Sequence, residues 1–338
     1  MMQTSLHNKS IYCLAAVVLL TLGCTDSKPT AGFRVGLITP GSISDAAWNS
    51  GAYAGLMQIK DSLDVHVSQV EARTPGEQED NLRRYAAEGY DLVFGHGFEF
   101  QGAAERISNQ YPKTVFIITS GERQAGNVSP LIFRFQEATY LAGRVAGGMT
   151  RRGILGFVGG IELPPIKLAY DGWVNGALSV NPAVQTRSVY LNTFDDVAAG
   201  REAALQLIRL GADMLHHNAD AAALGLLQAV KESPGVFAFG ANADQSGLAP
   251  SRVLGSAVID LPRAFLLVAR EVQKGGFTPR VESFGLSSGV IRYEPNPAVA
   301  GLVPPEVAAK VASARDSIIA GTLDPLVAPA TPHFAIRQ

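Results

Sequence analysis

The sequence predicts an α/β protein of two similar lobes, each a parallel β-sheet covered by helices. Three observations carry that expectation. From Phe33 onward, short apolar runs alternate with helical stretches of about 10 to 15 residues, the pattern of right-handed strand-helix-strand units. The alternation restarts at Ile154, after a helix that ends near Met149. A segment also recurs: YAAEGYDLVFGHGFEFQGAAERI and LIRLGADMLHHNADAAALGLLQAV both run helix, Gly, Asp, strand, His-ended turn, helix. With 338 residues, 47% of them hydrophobic, the chain has material for two cores, and a single core rarely grows past about 250 to 300 residues.

The stretch FRVGLITPGSISDAAWNSGAYAGL opens the first lobe. Phe33, Val35, Leu37 and Ile38 suit a strand covered on both faces, Pro40-Gly41-Ser42 ends it, and a helix follows to Leu56. VHVSQVEA from Val65 alternates as a strand, and Thr74-Pro75-Gly76-Glu77 opens a helix with a capping box and proline in the first turn. That helix stops at Gly89. DLVFGHG and TVFIITSG are the next strands, with the helix GAAERISNQY between them, then an extended piece from Leu131 to Phe135 and a helix from Glu137 to Met149. In the second half the strands are ILGFVGG, VQTRSVYL, ADMLHHN and VFAFGAN, separated by helices near 165–179, 196–210 and 221–232. RVLGSAVIDLPRAFLLVAREVQKGG adds one strand and one helix, which most economically return to the first lobe; more extended chain and the helix VPPEVAAKVASARDSIIAG follow. The expected division is therefore 33–137 plus 252–282 for the first lobe, 138–251 plus 283–322 for the second, and a tail at 323–338, with three crossings forming a hinge.

Residues 1–24 read as a secretory leader: Lys9, the apolar run IYCLAAVVLL, then Thr21-Leu22-Gly23-Cys24. The apolar run is too short for a comfortable membrane span. LLTLGC resembles a bacterial lipobox, which makes Cys24 the lipid-bearing N-terminus of the mature chain and 25–32 a tether; the alternative is a soluble secreted precursor. Cys13 lies in the removed part, so no thiol remains for a disulfide or for cysteine chemistry. The net charge of −2 argues against nucleic acid as a partner.

In open parallel sheets the loops at the carboxyl ends of strands form the ligand crevice. On that rule the candidates are Asp45, Trp48 and Asn49 after the first strand, Gly97 and Phe98 after the third and Ser120 after the fourth. From the second half come Glu162, Asn218 with Asp220, and Asn242 with Asp244. Carboxylates, amides and an indole in one crevice suit hydrogen bonds to hydroxyls and stacking on a flat ring. Helix capping by Asp45 and packing by Trp48 are the structural alternatives. Catalytic signatures fail: GHGFEF lacks the third small residue of a dinucleotide fingerprint, and no phosphate loop or GxSxG elbow occurs. His216 and His217 are adjacent on a strand and point to opposite faces, a poor metal pair. The expectation is a binding protein without cofactor or metal, not an enzyme.

Several segments in order, SDAAWNSGAYAGL, GHGFEFQGAAERISNQYP, EATYLAGRVAG with GFVGGIELP, YDGWVNGA, and GANADQSGLAPSRVLGSAVID, resemble the basic membrane lipoprotein group of ABC-transporter substrate-binding proteins, which includes nucleoside-binding lipoproteins. The resemblance spans about residues 33–320. It implies a type I periplasmic-binding-protein fold, two Rossmann-like lobes joined by a three-strand hinge, a small-molecule ligand enclosed between them, and delivery to a permease with its ATPase. It also implies that an aromatic at Trp48 stacks on a purine. The chain departs from the group at Thr39-Pro40, where an acid is common, at Asn242, the first acid of a DxDQ-like motif, and at Ile259, where a lysine is expected. The function expected is an extracytoplasmic, lipid-anchored solute receptor of an ABC importer, closing on a nucleoside or related ring compound. A ligand-sensing receptor subunit and a nucleoside hydrolase are the alternatives; a DNA-binding regulator is disfavoured because a leader stands where its headpiece would be.

Overall fold

The computed structural model describes residues 32–329. The expected leader, the lipid site expected at Cys24, the expected tether up to residue 31 and the end of the tail lie outside the described residues.

The first half runs β1 (Arg34–Thr39), α1 (Trp48–Leu63), β2 (His66–Glu71), α2 (Pro75–Ala87), β3 (Leu92–His96), α3 (Phe100–Ser108), β4 (Val115–Thr119) and β5 (Val128–Phe133). The second runs α4 (Gln136–Met149), β6 (Ile154–Gly159), α5 (Pro164–Leu178), β7 (Gln185–Tyr190), α6 (Val197–Arg209), β8 (Met214–Asn218), α7 (Ala223–Glu232) and β9 (Phe237–Asn242). The chain closes with β10 (Val253–Ile259), α8 (Leu261–Gln273), β11 (Glu282–Phe284), β12 (Ile291–Pro295) and α9 (Pro305–Ile319). Two six-stranded sheets result, ordered β11-β5-β4-β3-β1-β2 and β12-β10-β9-β8-β6-β7. Every pairing is parallel except β10 with β12. The central strands are buried on both faces, as their unbroken apolar runs require.

The recurring segment has a physical cause. Gly89 and Gly211, at φ 79° and 98°, turn the chain out of α2 and α6 in the left-handed region that glycine enters without strain. Asp91 and Asp213 then each donate a backbone N–H to the first strand of their lobe, at Arg34 and Ile154. Their carboxylates collect the backbone N–H groups at the entrance to that strand, from Arg34 in one lobe and from Arg151 and Arg152 in the other. The capping box at Thr74 forms as the sequence predicts: its hydroxyl accepts from Glu77 N and the Glu77 carboxylate accepts from Thr74 N, with Pro75 at the first helical position.

One assignment changes. Val253–Ile259 does not join the first sheet; it pairs with β9 and is buried throughout in the second. Only α8 crosses back, packing on α1 with Phe265 stacked on Phe94 at 4.1 Å. The strand and the helix read as one βα unit, but the chain passes between lobes at Asp260, inside that unit. The short β11 then pairs with β5 in the first sheet before β12 returns to the second.

Three crossings therefore join the lobes, after β5, after β10 and after β11, and side chains tie them together. Glu137, buried at the first, accepts the backbone N–H of Leu286 at the third and pairs with Arg134. Arg292 bonds Asp260 at 2.8 Å, and Asp260 N donates to Val290 O, linking the second crossing to the third. In the second lobe α4 and α5 pack with backbones in contact. A Cβ at Gly143 would sit on the carbonyl of Trp173, and one at Gly176 on the carbonyl of Tyr140. The glycines of EATYLAGRVAG and YDGWVNGA are what let these helices meet.

Candidate functional site

The carboxyl ends of β1, β3, β4 and β5 face those of β6, β8, β9 and β10 across a cleft lined from both sides. It has two compartments. The inner one, about 70 Å³, is lined by Trp48, Phe98, Phe133, Phe135 and Phe194, with Gly97, Glu99, Ser120, Asn218, Asp220, Asn242 and Ile259 among the other walls. The outer one, about 360 Å³, is more polar and is lined by Asn49, Arg73, Gln78, Asn192, Thr193 and Asp195 among others. Pro40, Glu99, Leu163, Phe194 and Asp220 line both, so the two are continuous.

Trp48 opens α1 and is only partly buried. One face of its indole stacks on the His96 ring at 4.1 Å and 23°, and Phe133 meets its edge at 6.1 Å. Trp48 is also a wall of the inner compartment. His96 is fully buried; its Nε2–H donates to Trp48 O, and Thr119 hydroxyl lies 3.0 Å from Nδ1, so the partners select the neutral tautomer. Burial pushes its pKa down to about 3. The tryptophan thus rests on an uncharged ring.

Opposite, Asp220 is buried at the end of β8 and accepts one hydrogen bond from Asn242 Nδ2 at 3.0 Å; Asn242 also donates to Asn218. Burial, then repulsion from Asp45, Glu99 and Asp195, raises the Asp220 pKa well above the usual carboxylate range, with the Asn242 bond opposing. Glu99 keeps solvent-accessible surface in the cleft, yet surrounding protein crowds its carboxyl and shifts its pKa upward. Ser120, Asp220 and Asn242 occupy left-handed backbone at φ 57°, 45° and 65°. Strain of that kind in non-glycine residues costs about 1 to 3 kcal/mol and gathers at ligand sites. Across the cleft, Arg73 bonds Asp195 at 2.7 Å while also engaging Glu71; the two loops, after β2 and after β7, hold matching positions in their lobes.

Of the residues named from sequence, the structure brings Trp48, Gly97, Phe98, Ser120, Asn218, Asp220 and Asn242 together in the inner compartment and places Asn49 in the outer one. Asp45 has a different task. Its carboxylate accepts from the backbone N–H of Ala47, Asn49 and Ser50, satisfying the donors at the start of α1. Glu162 is exposed beyond both compartments. Asp244, also exposed, accepts from Ser246 N within its own turn and from the Ser256 hydroxyl on β10. The histidines of β8 are both fully buried; His216 packs among Trp173, Phe157 and Phe239, and His217 bonds Gln245.

Sequence reading missed Glu99, Phe133, Phe135, Phe194 and the cross-cleft pair Arg73 and Asp195. Phe133 ends β5 and Phe135 lies in the turn into α4, so the crevice rule on strand ends could have been extended to both. Phe194 and Asp195 follow the edge strand β7, whose end the crevice rule did not single out. Ile259, where the resemblance implies lysine, is a wall of the inner compartment.

Comparison with known proteins bears on the family and the fold. The sequence matches the family described as Bmp, ABC transporter substrate-binding protein PnrA-like, over residues 33–317. It is 28% identical over 324 residues to basic membrane protein A2 of Borrelia garinii subsp. bavariensis, covering 92% of this chain and 94% of that protein. It is 26% identical to the transcriptional activator protein med of Bacillus subtilis, covering 82% and 86%. Its fold superposes with a TM-score of 0.80 on an ABC transporter system solute-binding protein of Aeropyrum pernix K1, at 22% identity, covering 88% of this chain and 94% of that one. The two parallel-dominated lobes are those of a type I periplasmic-binding fold. The chain belongs to the PnrA-like family of ABC transporter substrate-binding proteins.

Proposed function

We propose that this protein is the lipid-anchored solute receptor of an ABC importer, held outside the cytoplasm through Cys24, and that it closes on a nucleoside or related ring compound. The observation that carries the ring is Trp48, stacked on His96 and lining a compartment built by both lobes. Four phenylalanines extend that surface, and Asn218, Asp220 and Asn242 offer hydrogen bonds at its far side, an arrangement suited to a flat polar molecule. The inner compartment, about 70 Å³, opens into the outer one, about 360 Å³, so a ring seated against Trp48 touches walls from both lobes. Contacts from both lobes then favour the closed state, and the three crossings act as the hinge. The ligand passes to a membrane permease with its ATPase, and neither cofactor nor catalysis enters.

A thermal-shift screen over nucleosides, bases and sugars tests the ligand class, since a ligand at about 100 times its Kd adds about 2.7 kcal/mol of stability. Nucleosides raise the melting temperature and sugars do not; a sugar-only response overturns the reading. Incorporation of labelled fatty acid, lost in Cys24→Ala, tests the anchor.

A further inference from the structure

We propose that the ring bound in this cleft is cationic: a heterocycle bearing a quaternary or protonated nitrogen, stacked on Trp48 with its charge directed at Asp220 and Glu99. The inference deepens the ring-binding reading above and rests on it.

Among the described residues, the ionisable side chains lining the inner compartment are Glu99 and Asp220, with no lysine, arginine or histidine. His96 lies behind the indole and is neutral. Arg73, the cation of the outer compartment, is already engaged by Glu71 and Asp195. Acceptors are in excess as well. Asp220 receives a single side-chain donor, from Asn242, and the Glu99 carboxyl has only its own backbone. Asn49, in the wall of the outer compartment, buries its side-chain carbonyl oxygen with no donor among the described residues.

Asp220 is already buried and Glu99 still faces the cleft, so a neutral guest covers Glu99 and leaves both acidic groups without a counter-charge, which is costly. A cationic ring supplies the charge and the missing donors together. The aromatic walls favour the same guest, because a cation over an indole or phenyl face is attracted by the ring quadrupole, and the attraction grows when water is excluded. Raised carboxyl pKa values at Asp220 and Glu99 fit a site whose counter-charge comes with the ligand.

Matched pairs test this by titration calorimetry on the whole mature chain: 1-methylnicotinamide against nicotinamide, and 1-methyladenosine, protonated at neutral pH, against adenosine. The cationic member of each pair binds at least about tenfold more tightly, and Trp48→Ala weakens both members. In Asp220→Asn and Glu99→Gln the preference for the cation falls severalfold, and an unchanged far-UV circular dichroism spectrum shows that the fold is intact. If the neutral members bind as well or better, and lose affinity in Trp48→Ala, the charge is overturned and ring binding stands. Failure of all four compounds to bind overturns both.

Discussion

Replacing His96 by glutamine isolates the cost of holding a neutral imidazole under the Trp48 indole. His96 is fully buried and its pKa lies near 3, against 6.5 when exposed. A depressed histidine pKa means that the unfolded chain takes up the proton first, so stability is present above about pH 6.5 and drains as pH falls toward 3. At pH 5 the loss is RT ln[(1 + 10^(6.5−5))/(1 + 10^(3−5))], about 2 kcal/mol for this side chain. His216 and His217, pushed down to about 3 and about 4, add similar amounts in the same window. Glu99, Glu137 and Asp220 act in the opposite sense, since carboxyls with raised pKa values take up protons in the folded state and add stability as pH falls. The parent's total pH response therefore mixes signs, whereas the difference between parent and variant reports His96 alone. Urea unfolding followed by tryptophan fluorescence at pH 7, 6 and 5 measures it. His96→Gln loses about 2 kcal/mol less than the parent between pH 7 and pH 5, whatever its stability at pH 7. Parallel curves for the two proteins would refute the buried neutral imidazole.

Trp48→Ala weakens ligand binding by about 1 to 3 kcal/mol, the range for loss of ring stacking, and calorimetry with whichever ring compound the screen identifies reads it. Gly176→Ala drives a methyl group into the Tyr140 carbonyl and destabilises by about 1 to 3 kcal/mol in urea, with Gly143→Ala behaving alike against Trp173. Thr74→Ala removes the capping box and costs about 1 kcal/mol at pH 7 by the same assay. Arg73→Ala changes unfolding stability by less than about 1 kcal/mol, because its pair with Asp195 is half exposed, but it widens the ligand-free molecule in small-angle scattering by releasing the two lobes.

How far the sequence reveals this molecule depends on which signals are local. Strands such as Leu92–His96 and Met214–Asn218 announce themselves because burial on both faces demands an unbroken apolar run. Their ends point to Gly97, Asn218 and Asp220, since ligand loops follow strand ends in this class of sheet. The destination of Val253–Ile259 is not local: any apolar strand suits either sheet, and the choice is made by pairing with β9. Asp45 and Asp244 look like ligand contacts because an aspartate in a loop has the same spelling whether it binds a guest or its own backbone. Arg73 and Asp195 stand 122 positions apart and come together only when the cleft is assembled. The glycines of α4 and α5 read as weak helix formers until the facing carbonyls are seen.

The helix Leu261–Gln273 and the strand Glu282–Phe284 complete the first lobe with residues synthesised near the end. On a ribosome, or emerging from a translocation pore, the opening 135 residues therefore make only a partial body, with Phe94 and the neighbouring face of Trp48–Leu63 awaiting their cover. The second lobe closes later still, when β12 pairs with β10 and α9 packs on α4, so no single scission releases a finished half. Such sequence-distant closure slows acquisition of the native state and prolongs exposure of sticky intermediates. A nascent chain halted before Phe284 should remain protease-sensitive across Arg34–Phe133 and gain resistance once that strand is released.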